Sequence, residues 1–199
     1  NWTRLSAPLS YGDHVKFIQA GSYFAVAISR ENKLFIWGSD SYFNMGRGLS
    51  ERLNSVRPRH LLPTYQFTSA CAGWYHGAAV TTTGKVFTWG TNTQLGKIVC
   101  STDSPTRTCG ETSCPCSKSS YAPPIYGMLG LGDYYYSTTP REVSLSETVV
   151  EIRCGLYHIV ARTATGELYA WGDRDYGQLG VGDESNNGYT PAKVSIPVG

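Results

Sequence analysis

Hydrophobic and polar positions repeat three times along the chain with the same spacing. Segments 21–38, 73–90 and 155–172 align without gaps, and in each a glycine precedes a Trp-Gly pair by sixteen residues. Each segment has a first apolar run (25–28, 78–80, 159–161) and a second one (34–36, 86–87, 168–169). Runs of this length on either side of a turn predict one β-hairpin per copy.

The turn of each hairpin contains one position that favours a positive φ angle. It is Asn32 in the first copy, Gly84 in the second and Gly166 in the third. Glycine takes the left-handed conformation without steric cost, and asparagine is among the few side chains that tolerate it. The three copies therefore predict the same turn.

Two further strands complete each unit. Apolar residues six and three positions before the repeat glycine predict a preceding strand, and they are Val15 and Ile18, Phe67 and Ala70, and Val149 and Ile152. Segments 58–62, 140–145 and 191–196 predict a last strand with proline at or near its start, where a missing N–H does least harm. Four short antiparallel strands make one β-propeller blade.

The spacing of the copies locates an insert. Trp37 and Trp89 are 52 residues apart, whereas Trp89 and Trp171 are 82 apart, and the excess falls at 91–125. The prediction is an all-β, incomplete propeller forming one domain. Its parts are a last strand of a preceding blade (1–14), blade one (15–66), blade two with the cysteine-rich insert (67–148) and blade three (149–199).

The repeat resembles that of the regulator of chromosome condensation family, in which Val-x-x-Ile-x-x-Gly-x-x-His leads to Trp-Gly and then to Gly-Gln-Leu-Gly-x-Gly. Segment 149–182 matches almost throughout, whereas the first copy has Phe24 in place of the histidine. The resemblance implies a propeller of about seven blades. Three blades would then be completed by missing blades or by other protein chains, a homo-oligomer or filament being one such arrangement.

Residues that recur in every blade are interpreted as scaffold. The tryptophans are expected to pack between blades, and the histidines to form structural hydrogen bonds, rather than to bind a ligand, a metal or a proton in catalysis. The scaffold set is Gly21, Trp37, Gly73, His76, Trp89, Gly155, His158 and Trp171. No phosphate-binding, zinc-protease or serine-hydrolase motif is found, so we expect no catalytic residue, cofactor or metal.

Charge and composition add limits on partners. The chain is 41% hydrophobic and has 17 basic against 15 acidic residues, without a basic cluster. This balance does not favour nucleic acid as a partner. No apolar stretch approaches the ~20 residues that a membrane span needs.

The insert contains four of the six cysteines, Cys100, Cys109, Cys114 and Cys116. We expect them to form disulfides, which favours an extracellular or secretory compartment. Zinc and free thiols are the alternatives, although the cysteines lack paired C-x2-4-C spacing and the insert has no histidine. Cys71 is interpreted as a core residue or a partner for the insert, and Cys154 as small, buried and unpaired.

Two other features stand outside the repeat. Asn1 begins an Asn-x-Thr sequon for glycosylation. Tyr134, Tyr135 and Tyr136 are adjacent, so they cannot all face inward on one strand, and they predict either a contact surface or packing under the insert.

Three functions fit these features. The first is a non-enzymatic interaction or structural module, part of a larger secreted or surface assembly. The second, implied by the family resemblance, is a guanine-nucleotide exchange factor in the cytoplasm or nucleus. The third is a secreted inhibitor protein, because some inhibitors of bacterial β-lactamases share the fold.

Overall fold

The chain folds into three four-stranded sheets. The structure, a computed structural model, describes residues 14–48, 54–92, 127–133, 135–182 and 188–197. Across these residues the elements are antiparallel β-strands, which confirms the predicted fold class. The strand expected within 1–14 and most of the insert lie outside the described residues.

The strands follow chain order within each sheet. Blade one consists of β1 (Val15–Ala20), β2 (Phe24–Ser29), β3 (Leu34–Gly38) and β4 (Ser55–Leu61). Blade two consists of β5 (Phe67–Ala72), β6 (His76–Thr81), β7 (Val86–Gly90) and β8 (Ser137–Glu142). Blade three consists of β9 (Val149–Cys154), β10 (His158–Thr163), β11 (Leu168–Gly172) and β12 (Ala192–Lys193).

The central hairpin of every blade turns at the predicted position. Asn32, Gly84 and Gly166 have φ angles of 65°, 85° and 88°. Any other β-carbon-bearing residue would be strained in this conformation, which explains why only glycine and asparagine occur there.

The prolines of two outer strands lie inside the strand, not at its start as predicted. Pro58 is within β4 and Pro140 within β8, and both strands are sheet edges. The strand pairing is interrupted by a bulge at both places, between Ile36 and Gly38 and between Thr88 and Gly90. Proline has no N–H to donate to a neighbouring strand. At a bulge on an edge strand no such hydrogen bond is needed, so proline is tolerated there.

The hydrophobic core lies between neighbouring blades. Val26 and Ile28 of blade one pack with Phe67 and Ala70 of blade two, and all four are fully buried. Val80 of blade two packs in the same way in a cluster with Val149 and Ile152 of blade three. Each blade therefore has a preceding side, which faces the earlier blade, and a following side, which faces the next one.

The repeat tryptophans contribute to this packing to different degrees. Trp89 is fully buried against the β3–β4 loop of blade one, and its Nε1 donates to the carbonyl oxygen of Asn44 at 2.7 Å. Trp171 is equally buried beside Gly130, but within the described part of the chain its Nε1 has no hydrogen-bond partner. Trp37 of blade one is half-buried.

Candidate interaction surface

One end of the propeller carries the irregular loops. The first and third strands of an antiparallel sheet run in the same direction, so the loops that follow them emerge at the same end. In blade two the loop after β7 begins at Thr91 and includes the insert and the three adjacent tyrosines. We call this the loop end.

Five aromatic residues form a continuous row across the loop end, which we call the aromatic row: Tyr23, Tyr42, Trp74, Tyr75 and Tyr157. Tyr75 stacks on Tyr23 of blade one, with ring centroids 5.8 Å apart, and on Trp74, with centroids 5.3 Å apart. Trp74 stacks in turn on Tyr157 of blade three at 5.4 Å. The row therefore joins all three blades by ring stacking.

The tyrosine hydroxyls of the row influence one another. Burial, together with smaller contributions from the neighbouring Tyr23, Tyr42 and Tyr157, raises the pKa of Tyr75 to about 12. Burial also raises the pKa of Tyr157, with a contribution from the Asp173 carboxylate. These phenols are protonated at neutral pH and can donate hydrogen bonds to a partner.

The repeat histidines lie beneath the row. His76 follows Tyr75 and is fully buried, and His158 follows Tyr157 and is half-buried. The ring of each folds back over its repeat glycine, so a Cβ on Gly73 or Gly155 would collide with it. The close approach of the histidine ring to the glycine Cα thus explains the Gly-x-x-His spacing. In blade two the turn is closed by a backbone hydrogen bond in which Gly73 N donates to the His76 carbonyl oxygen at 2.8 Å.

His76 does not form the side-chain hydrogen bonds that the sequence predicts for it. Neither of its ring nitrogens has a hydrogen-bond partner among the described residues. Burial lowers the pKa of His76 to about 3, helped by the charge of the adjacent His158, while the His158 backbone opposes the shift. Burial also lowers the pKa of His158, against the attraction of Asp173. The His76 ring therefore acts as a packing group, the role that Phe24 has in blade one.

A disulfide links blades two and three. The sequence predicts an unpaired Cys154, but the structure joins it to Cys71, with Cα atoms 5.4 Å apart and a sequence separation of 83. Cys71 lies on the following side of β5 and Cys154 on the preceding side of β9, so the two blades place them opposite each other. Hydrophobic patterning of a single strand does not reveal this pairing between blades.

The described part of the tyrosine cluster packs against blade one. Tyr136 stacks on Phe43, with ring centroids 4.8 Å apart. Tyr135 is fixed through Asn92, whose Nδ2 donates to the carbonyl oxygens of Tyr135 and Asp133 at 3.0 Å. The Asn92 Oδ1 also accepts from Leu129 N at 2.8 Å, so this side chain ties the two ends of the insert-bearing loop together.

Several predicted sites fall outside the described residues, namely Asn1, Cys100, Cys109, Cys114, Cys116 and Tyr134. In the described ranges no three His, Cys, Asp or Glu side chains are grouped as a metal site would require. The same residues include no helix with the length and hydropathy needed to cross a bilayer.

Sequence reasoning missed the aromatic row, although its signal is present. A tyrosine stands two residues after each repeat glycine, at Tyr23, Tyr75 and Tyr157. Another stands five residues after two of the repeat tryptophans, at Tyr42 and Tyr176. The recurrence predicts a shared location, but only the packing of successive blades shows that the rings stack.

Models of the regulator of chromosome condensation (RCC1) repeat match residues 15–43, 67–94 and 149–178, and a second such model matches 165–199. Together they cover more than half of the chain. Among curated proteins, human E3 ubiquitin-protein ligase HERC2 is 28% identical over 185 residues, which are 90% of this chain and 3% of HERC2.

Solved structures share the fold. Human WBSCR16 matches with a TM-score of 0.68 and 24% identity, over 98% of this chain and 43% of WBSCR16. Prp20p from Saccharomyces cerevisiae, described with binding properties to Gsp1p and histones, matches with a TM-score of 0.64 and 18% identity, over 92% of this chain and 39% of Prp20p. The chain thus spans less than half of each of these proteins.

Proposed function

Because the chain belongs to the family of regulator of chromosome condensation repeat proteins, we propose that it is a non-enzymatic protein-interaction module whose binding surface is the aromatic row. The row carries the proposal, since it joins three blades at the end where the longest loop emerges. Tyrosine and tryptophan offer a large contact area at low entropic cost and dominate binding energy at protein interfaces. A protein partner agrees with Prp20p, whose described ligands are proteins.

We further propose that these blades are part of a larger propeller. On blade one, Ile18 is 71% exposed, although the equivalent Ala70 and Ile152 are fully buried against an earlier blade. On blade three, Tyr176 is 91% exposed, although the equivalent Tyr42 packs edge-on against Tyr75 of the next blade at 4.5 Å. Both residues are exposed at positions whose equivalents are covered by a neighbouring blade elsewhere in the molecule.

An oxidising compartment, extracellular or secretory, is part of the proposal. The disulfide between Cys71 and Cys154 supports it, because such links persist mainly where thiols are not kept reduced. Alkylation without reductant, followed by mass spectrometry, tests this point. The protein is first unfolded in denaturant, because Cys71 is fully buried, and modification of both cysteines would contradict an oxidising compartment.

The binding surface is tested by quantitative affinity capture with matched variants. Trp74→Ser places on blade two the residue that blade one has at the same position, Ser22, and Val56→Ser changes an 88% exposed residue on an edge strand. We expect partners captured by the wild type and by Val56→Ser to be lost with Trp74→Ser. Equal capture by all three forms, or acceleration of nucleotide release from a small GTPase, would contradict the proposal.

A further inference from the structure

The following side of blade three differs in chemistry from those of the other blades. In blade two this side presents Ser69, Val80 and Val86, which are buried against blade three. In blade one the corresponding β2 and β3 residues, Ile28 and Leu34, are fully buried. Blade-to-blade packing at these positions is therefore almost wholly apolar.

Blade three carries charges at the equivalent positions. Arg162 aligns with Val80 and Ile28, and its strand partner Glu151 aligns with Ser69 and Phe17. Arg162 pairs with Glu151 at 2.9 Å, and Arg153 pairs with the other carboxylate oxygen at 2.6 Å. Two guanidinium groups thus share one carboxylate, which leaves the cluster with a net positive charge.

The preceding side of blade one has the opposite character. Ile18 and Val15 are 71% and 42% exposed, and neither carries a group that could pair with arginine. If a second copy placed this side on blade three, the charged cluster would lose water without gaining a partner. Burial of charge without a compensating partner is strongly unfavourable and opposes the gain from burying two aliphatic side chains.

We infer that the following side of blade three docks a protein segment that presents a carboxylate to Arg162, and that it rejects the preceding side of a second copy. Charge complementarity identifies the partner: Arg162 directs its Nε and Nη2 at Glu151, which leaves the N–H donors of Nη1, and its side chain is about half exposed. Arg153 adds positive charge beside it, although one of its nitrogens also donates to the Ile152 carbonyl oxygen and its guanidinium lies over the Phe17 ring. The inference rests on the proposed completion of the propeller, but it concerns residues that are not part of the aromatic row.

Carboxylate recognition is tested with a fluorescent hexaglutamate peptide by polarisation at low and physiological salt. Arg162→Val is compared with Arg141→Val, because both arginines pair with an acid and their side chains are 48% and 47% exposed. We expect Arg162→Val to weaken binding about fivefold or more and Arg141→Val to leave it unchanged. No binding to the wild type, or equal weakening by both variants, would overturn the inference.

Rejection of a second copy is tested by sedimentation velocity. Glu151→Ser/Arg162→Val places the residues of blade two on blade three, and we expect it to associate about tenfold more tightly than the wild type. Adding Ile18→Glu should reverse the gain. The inference would be overturned if the wild type formed dimers and Ile18→Glu disrupted them. The capture experiment with Trp74→Ser tests the proposed function separately, because its outcome does not depend on self-association or on peptide binding.

Discussion

At the residue scale, the repeat glycines and histidines form pairs defined by shape. The histidine ring occupies the space where a glycine Cβ would be, in blade two and again in blade three. A ring that is fully buried without hydrogen bonds tolerates only the neutral form. Burial in the folded protein therefore opposes protonation of His76.

Acid should destabilise the protein through His76. Its folded pKa of about 3 lies below the unfolded value of 6.5, so the unfolded state binds the proton more tightly. The contribution of the neutral His76 ring to the free energy of unfolding is fully present above pH 6.5. It is lost progressively as the pH falls toward 3. The variant His76→Phe places on blade two the residue that blade one has at this position, Phe24. Between pH 7 and pH 4.5 we expect its free energy of unfolding, measured in urea, to fall by about 2 kcal/mol less than that of the wild type.

The control for this prediction is His14→Gln, since His14 is exposed at the start of the described chain. Its unfolding free energy should vary with pH as that of the wild type does. An unchanged acid response in His76→Phe would show that other groups cause the loss.

The two fully buried tryptophans should differ in their cost of replacement. Trp89→Phe removes a hydrogen bond and leaves the Asn44 carbonyl unpaired, whereas Trp171→Phe removes an indole N–H that has no acceptor. We expect Trp89→Phe to be more destabilising by about 1 kcal/mol. Chemical unfolding followed by circular dichroism measures the difference, and equal costs would contradict it.

At the element scale, the inner strands of neighbouring blades are in register. Cys71 and Cys154 occupy positions two and one residues before their repeat glycines. The same two positions at the junction of blades one and two are held by Gln19 and Ala72. The repeat thus predicts a second site with suitable disulfide geometry.

Gln19→Cys/Ala72→Cys should form a disulfide under mild oxidation and stabilise the protein by about 2–4 kcal/mol. Intact mass with and without reductant, together with the melting temperature, measures this. Gln19→Cys/Ser69→Cys is the control, because the Ser69 hydroxyl faces blade three, where it accepts from Ile152 N at 3.2 Å. Efficient crosslinking of the control would contradict the register.

At the scale of the whole molecule, the native disulfide closes a chain segment that contains all of blade two's outer strands and its insert. Because its cysteines are 83 residues apart in sequence, the disulfide removes much conformational entropy from the unfolded chain. We expect reduction to lower the unfolding free energy by about 3–5 kcal/mol. The variant Cys71→Ser/Cys154→Ser should have the stability of the reduced wild type, and reductant should not change it. If reductant still lowered the stability of this variant, the effect would be due to the other cysteines.

The charged following side and the aromatic row also belong to this scale, because both depend on which blades are neighbours. Tyr75 is 6% exposed only because Tyr23, Tyr42 and Trp74 surround it from two blades. Arg162 is exposed because it lies on the last described sheet, at a position that is buried in the other two.

The sequence by itself determined the blade: its strands, the left-handed turn at Asn32, Gly84 and Gly166, and the repeat family. These features arise from residues close together in the chain, whose periodicity and steric limits are visible without neighbours. The tertiary structure alone decided the Cys71–Cys154 link, the stacked aromatic row and the contrast between Arg162 and Val80. Each depends on contacts between blades, because residues far apart in sequence meet only after the sheets pack.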